Sequence, residues 1–120
     1  MALAASVAVA FLGLLHLYIL ALEMFLWETP RARKAFGTTA DFARASKVLA
    51  ANQGLYNGFL AAGLFWSLLL DAPLAKPVAL FFLGCIVVAG LYGAATASRR
   101  ILFVQALPAA LAGLFVWLGW

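Results

Sequence analysis

The sequence predicts an all-α integral membrane protein, a bundle of four transmembrane helices with both termini outside. Three observations predict it. Of the 120 residues, 68% are hydrophobic and only 10% charged, and the mean hydropathy is +1.08. Soluble domains carry about 25% charged residues, so this chain cannot clothe a water-facing surface. The apolar residues fall into four runs of the length, ~20 residues, that a hydrocarbon core requires. The cations gather beside those runs, seven on one side and one on the other, which is the pattern membrane topology imposes.

The first span is residues 2–27, ALAASVAVAFLGLLHLYILALEMFLW. No Lys or Arg precedes it, and it is too long for the core of a secretory signal, so it reads as a retained transmembrane helix. The loop ETPRARKAFGTT follows, and Thr38, Thr39 or Asp41 can cap the second span, 41–70. The connection DAPLAK, with Pro73 and Pro77, makes a tight hairpin to the third span, 77–97. Ser98, Arg99 and Arg100 separate that span from the fourth, 101–120, where Pro108 frees the carbonyl of Val104 and kinks the helix. No linker, low-complexity tract or repeat is left over, so residues 1–120 form one transmembrane domain.

Arg31, Arg33, Lys34, Arg44, Lys47, Arg99 and Arg100 fall on one side and Lys76 alone on the other. This places the first and third loops in the cytoplasm and both termini outside. Trp27 then sits at the inner interface, and Trp66, Trp117 and Trp120 sit toward the outer one. The net charge of +4 is therefore a topology signal and not a nucleic-acid footprint. One cysteine, Cys85, in mid-span excludes a disulfide framework or a metal cluster within the chain.

Polar residues inside the spans carry the functional expectation. A charged group at the bilayer centre costs roughly 2.5–3.5 kcal/mol on insertion scales, so such residues turn inward or toward a wet cavity. His16 and Glu23 lie seven residues apart in the first span, on one helical face. Asn52, Gln53, Tyr56 and Asn57 share an arc of the second span. Tyr92 comes from the third, one face with Cys85, and Gln105 from the fourth. Pointed at a shared interior, His16, Glu23, Asn52, Gln53, Tyr56, Asn57, Tyr92 and Gln105 line a polar pocket open toward the cytoplasm. If chemistry occurs there, Glu23 is the first acid–base candidate and His16 the second. The competing reading is structural, because amides also join membrane helices at about 0.6–2 kcal/mol per hydrogen bond. His16 reads as a hydrogen-bonded partner and not a metal or haem ligand, since one histidine per chain cannot supply paired ligation. Gly54–Gly58 and Ala109–Gly113 permit close helix packing, within the bundle or across a dimer. Lys47 and Arg44 are expected to snorkel toward the surface. The basic first loop also fits anionic headgroups or an anionic ligand at the pocket mouth.

The pattern HLYILALEMFLW, then a Phe-Gly loop, then NQGLYNGFLAAGL, closely resembles the integral-membrane family catalogued as domain of unknown function 1304. His16, Tyr18, Ile19, Glu23 and Met24 match one signature of that family, and Asn52, Gln53, Gly54, Tyr56 and Asn57 match the other. The resemblance covers essentially the whole chain. It implies a four-helix protein of the bacterial cytoplasmic (inner) membrane and supplies no activity. Small multidrug-resistance transporters are similar in length and carry a glutamate in their first span. There it sits near mid-membrane, whereas Glu23 lies nearer the cytoplasmic end. The membrane-associated eicosanoid and glutathione metabolism family looks alike in topology. Its Arg-x-x-x-Ala-x-x-Asn-x-x-Glu motif, aligned on Asn52, puts Leu49 and Leu55 at the Ala and Glu positions.

The function expected is binding of a small amphipathic or lipidic molecule in the intramembrane pocket, since concave apolar sites with a few convergent polar groups are the usual ligand sites. The alternatives are a proton-coupled transporter acting as a dimer through Glu23, a membrane enzyme of glutathione-transferase-like architecture, and a structural or accessory protein whose polar groups only lock helices. The lipid bilayer is the partner the composition demands, and a homo-oligomer is compatible with it. No phosphate loop, nucleophile elbow, metal motif or nucleic-acid motif is present.

Overall fold

The computed structural model describes all 120 residues, and they form helices and turns with no strand. The order is α1 (Leu3–Met24), α2 (Pro30–Phe36), α3 (Ala40–Leu69), α4 (Ala75–Thr96) and a π-helical turn (Leu102–Ala106) that runs into α5 (Leu107–Leu118). The four long helical segments overlap the four apolar runs, and α1 ends at Met24, three residues short of Trp27. Two of them, α1 and α4, are long and apolar enough to cross a membrane by length and composition. In α3, the amides of Asn52, Gln53 and Asn57 and the cations of its first turns dilute the apolar run. The last apolar segment, Leu102–Leu118, is shorter.

The element boundaries follow local chemistry. Helix α2 lies where the sequence reads as loop. Thr29 accepts a hydrogen bond on its side chain from the Ala32 N–H, Pro30 opens the helix, and Gly37 ends it at φ 68°, a left-handed conformation that glycine adopts freely. Among the three candidate caps for α3, Thr39 does the work, accepting from the Phe42 N–H at 3.1 Å. Helix α4 starts two residues before Pro77, because a first-turn proline lacks only an N–H that the helix would leave unpaired. At Pro108 the missing N–H coincides with a change of hydrogen-bond register. The Leu107 N–H reaches back to the Leu102 carbonyl, five residues away.

The chain divides into two compact units, Met1–Gly13 with Ala62–Trp120, and Leu14–Ala61. In the first, α4 buries Ala75, Ala79, Leu83, Ile86 and Gly90, a helical stripe, and the last segment buries Ala106, Ala109, Ala112 and Val116. Small residues set the approach. A Cβ added to Gly90 would lie 2.7 Å from the backbone nitrogen of Ala106, and one added to Gly63 2.4 Å from the Phe82 ring. The Trp120 carbonyl accepts from the Ala5 N–H at 3.0 Å, and the Lys76 ammonium donates to the Trp117 carbonyl at 3.1 Å while lying 5.0 Å from the Trp117 ring centre.

In the second unit the C-terminal half of α1 runs antiparallel to the N-terminal part of α3. Gly54 meets Met24 and Glu23, and Gly58 meets Leu20. The Gly54–Gly58 pair thus serves packing inside one chain. At the base, Trp27, Ala43 and Ala50 cluster. Trp27 is buried. Its indole N–H donates to the Ser46 hydroxyl at 3.1 Å, and its ring lies 4.9 Å from that of Phe36.

Candidate functional site

Glu23 occupies the last turn of α1 and Asn57 the middle of α3, 34 residues away in sequence. Both are nearly inaccessible, at 6% exposure each. The Asn57 amide nitrogen donates to Glu23 Oε1 at 2.6 Å and to the Gln53 carbonyl at 3.3 Å. The sequence arranges this locally. Gly54, one turn before Asn57, has no side chain, so the backbone of α3 comes against Met24 and the Cβ of Glu23. The contact is short and both partners are buried, so losing either one would leave a desolvated polar group. His16, two turns earlier on the same face of α1, is fully buried and already engaged with a neighbour.

Just beyond Glu23 the chain leaves α1, and a small open hollow forms there. Its volume is about 220 Å³, and it is lined by Met24, Phe25, Trp27, Glu28, Thr29 and Lys47. The lining is amphipathic. Met24, Phe25 and Trp27 offer apolar surface, and Lys47 Nζ pairs with Glu28 Oε1 at 3.3 Å across the polar side. Ligand pockets commonly hold ~300–1,000 Å³, so the hollow takes part of a molecule and not the whole of one. The Arg31 guanidinium donates to the Tyr18 hydroxyl at 3.4 Å, a contact that raises its pKa.

Of the residues read from sequence, Glu23 and Asn57 stand in direct contact. Asn52, Gln53 and Tyr56 lie on an exposed stretch of α3, and their polar side-chain atoms make no hydrogen bond within the chain. Tyr92 and Gln105 belong to the other unit. Tyr92 is 72% exposed, and Gln105, a residue of the π-helical turn, is half-buried and has an interaction partner. No three His, Cys, Asp or Glu side chains gather as metal ligands do. None of the six residues that line the hollow was among the site residues read from sequence. The turn after α1 places Phe25, Trp27, Glu28 and Thr29, and no periodicity marks it.

The model of the family described as protein of unknown function (DUF1304) matches residues 10–117. The chain is also similar to the uncharacterized protein YpaA of Lactococcus lactis subsp. lactis (strain IL1403), with 31% identity over 90 residues, covering 73% of this chain and 75% of that protein. No solved structure matches.

Proposed function

We propose a function for a chain that belongs to the family described as protein of unknown function (DUF1304): a multi-pass protein of the bacterial cytoplasmic membrane that holds a small amphipathic or lipidic molecule at the base of α1, on the cytoplasmic side. Four spans with both termini outside are part of this reading, supported by the seven-to-one division of cations. The membrane placement is also supported by outward-facing apolar side chains such as Phe11, Phe25, Val48, Phe81 and Trp117, because soluble monomers rarely display contiguous apolar patches of more than a few hundred Å².

The observation that carries the ligand reading is the hollow of mixed lining one residue beyond a buried, amide-paired carboxyl. Its apolar wall of Met24, Phe25 and Trp27 suits a hydrocarbon chain, and Lys47, Glu28 and Thr29 suit a polar head. Its small volume fits a molecule whose tail stays in the bilayer. The test is mass spectrometry of the protein extracted with its native lipids. One amphipathic species should be enriched over the bulk membrane, and Phe25→Ala with Lys47→Met should lose it. A lipid profile identical to that of an unrelated four-span protein, or one that the double variant leaves unchanged, removes this reading.

One observation favours a second reading, a helix-locking role without a ligand. The Glu23–Asn57 hydrogen bond and the Gly54 contact already complete each other inside the chain. On that reading, Phe25→Ala with Lys47→Met changes nothing but local packing.

A further inference from the structure

We infer that a second copy of this chain covers the exposed face of α3 at Asn52, Gln53 and Tyr56, in a parallel, two-fold dimer. The inference rests on the membrane placement proposed above and not on the ligand. Helix α3 has 30 residues and is therefore about 45 Å long at about 1.5 Å per residue. Asn52 lies about 18 Å from its start, Gln53 about 20 Å and Tyr56 about 24 Å on the same rise. A hydrocarbon core about 30 Å thick, slid anywhere along a 45 Å helix, always includes the stretch between about 15 and 30 Å. All three polar side chains therefore lie at hydrocarbon depth in any placement that spans. They are exposed, Tyr56 at 56%, and their polar atoms are unpartnered in the chain. Lipid tails offer no hydrogen bonds, so such a face requires a protein partner.

The chemistry of the face selects a like partner. An Asn or Gln amide is both donor and acceptor, so the same residue across a two-fold axis satisfies it in both directions. Leu49, Asn52, Tyr56 and Phe59 follow one another at spacings of three, four and three, all exposed, which is the seam of a paired helix with a polar position at its centre. No charge lies between Lys47 and Asp71, so two copies do not repel along the seam. Gly54 and Gly58 face α1 of the same chain and leave this face free. The one-sided cation distribution gives both copies the same orientation, with the axis along the membrane normal.

The test is oxidative crosslinking in native membranes, in a Cys85→Ser background. Leu49→Cys, Asn52→Cys, Tyr56→Cys and Phe59→Cys should each couple to their own counterpart, strongest at 52 and 56. Val7→Cys and Phe81→Cys, exposed on other helices, should not. In parallel, Asn52→Leu with Gln53→Leu should weaken dimerisation about tenfold by native mass spectrometry with helix content unchanged. Several outcomes overturn the dimer: a monomeric native mass for the unaltered protein, coupling at 81 in preference to the α3 seam, or a photo-crosslinker at position 56 that captures only lipid. If those occur while the enriched amphipathic species persists, the ligand reading stands and the dimer alone falls. Labelling of Asn52→Cys by a membrane-impermeant maleimide would remove the membrane placement, and the dimer with it.

Discussion

Glu23 in α1 and Asn57 in α3 face each other through a buried hydrogen bond. A carboxyl buried to 6% exposure has exchanged water for one amide at 2.6 Å. Removing the donor leaves the acceptor unpaired, and a buried unsatisfied group costs about 1–3 kcal/mol. Asn57→Leu should therefore lower the thermal unfolding midpoint in detergent clearly. Glu23→Gln keeps an oxygen within reach of the amide and should lower it less. Equal midpoints for Asn57→Leu and the unaltered protein would mean that the contact does not hold α1 to α3. The sequence made part of this pair legible. A glutamate in an apolar run and an asparagine in a polar arc both call for partners. What it left open was which of Asn52, Gln53, Tyr56 and Asn57 would meet Glu23. The Gly54 contact selects Asn57, one turn on, because α3 can approach α1 closely only along the face that lacks side chains.

Among the elements, the long helices lie on the apolar runs, but α1 stops at Met24, inside the apolar run that continues to Trp27, where no Pro, Gly or charge cluster marks the end. Helix α2 carried its own signals, Thr29 and Pro30 at the start and Gly37 at the end, but it lies in a run of cations whose topological meaning masked them. The π-helical turn was not legible. Pro108 marks a break in the ladder, but the choice of a five-residue register depends on packing against α4, where Gly90 faces Ala106. That contact gives a paired prediction. A Cβ at Gly90 would meet backbone 2.7 Å away, whereas one at Gly84 would meet nothing within 4 Å. Gly90→Ala should destabilise the fold by about 1–3 kcal/mol, the usual result of overpacking. Gly84→Ala should be neutral or stabilise by up to about 1 kcal/mol, as alanine favours helix. Unfolding in detergent by a graded denaturant reads both, and a reversed order would contradict the packing of α4 against the last segment.

Across the whole molecule, the outer surface decides which solvent the packed helices can meet. Each unit turns large apolar side chains outward, Val7, Phe11, Phe81 and Val88 in one and Phe25, Val48 and Phe59 in the other, so the proposed bilayer is the solvent these surfaces match. Charge then sets direction. Arg31, Arg33 and Lys34 in α2, Arg44 and Lys47 at the start of α3, and Arg99 and Arg100 after α4 would share the cytoplasmic side, with Lys76 opposite. The ion pairs Arg44–Asp41 and Lys47–Glu28 are largely exposed. They contribute little to stability and leave the sign of the basic side unchanged. Lysine and arginine beside short loops dominate orientation and acidic residues count for little, so the arrangement is predicted to be uniform. In intact spheroplasts of a Cys85→Ser strain, Ala72→Cys should react with a membrane-impermeant maleimide, and Ala35→Cys should react only after the membrane is opened. Equal labelling at both positions would mean mixed orientations. That would refute the one-sided placement of the hollow at the base of α1 and the parallel pairing of α3, since both depend on every copy facing the same way.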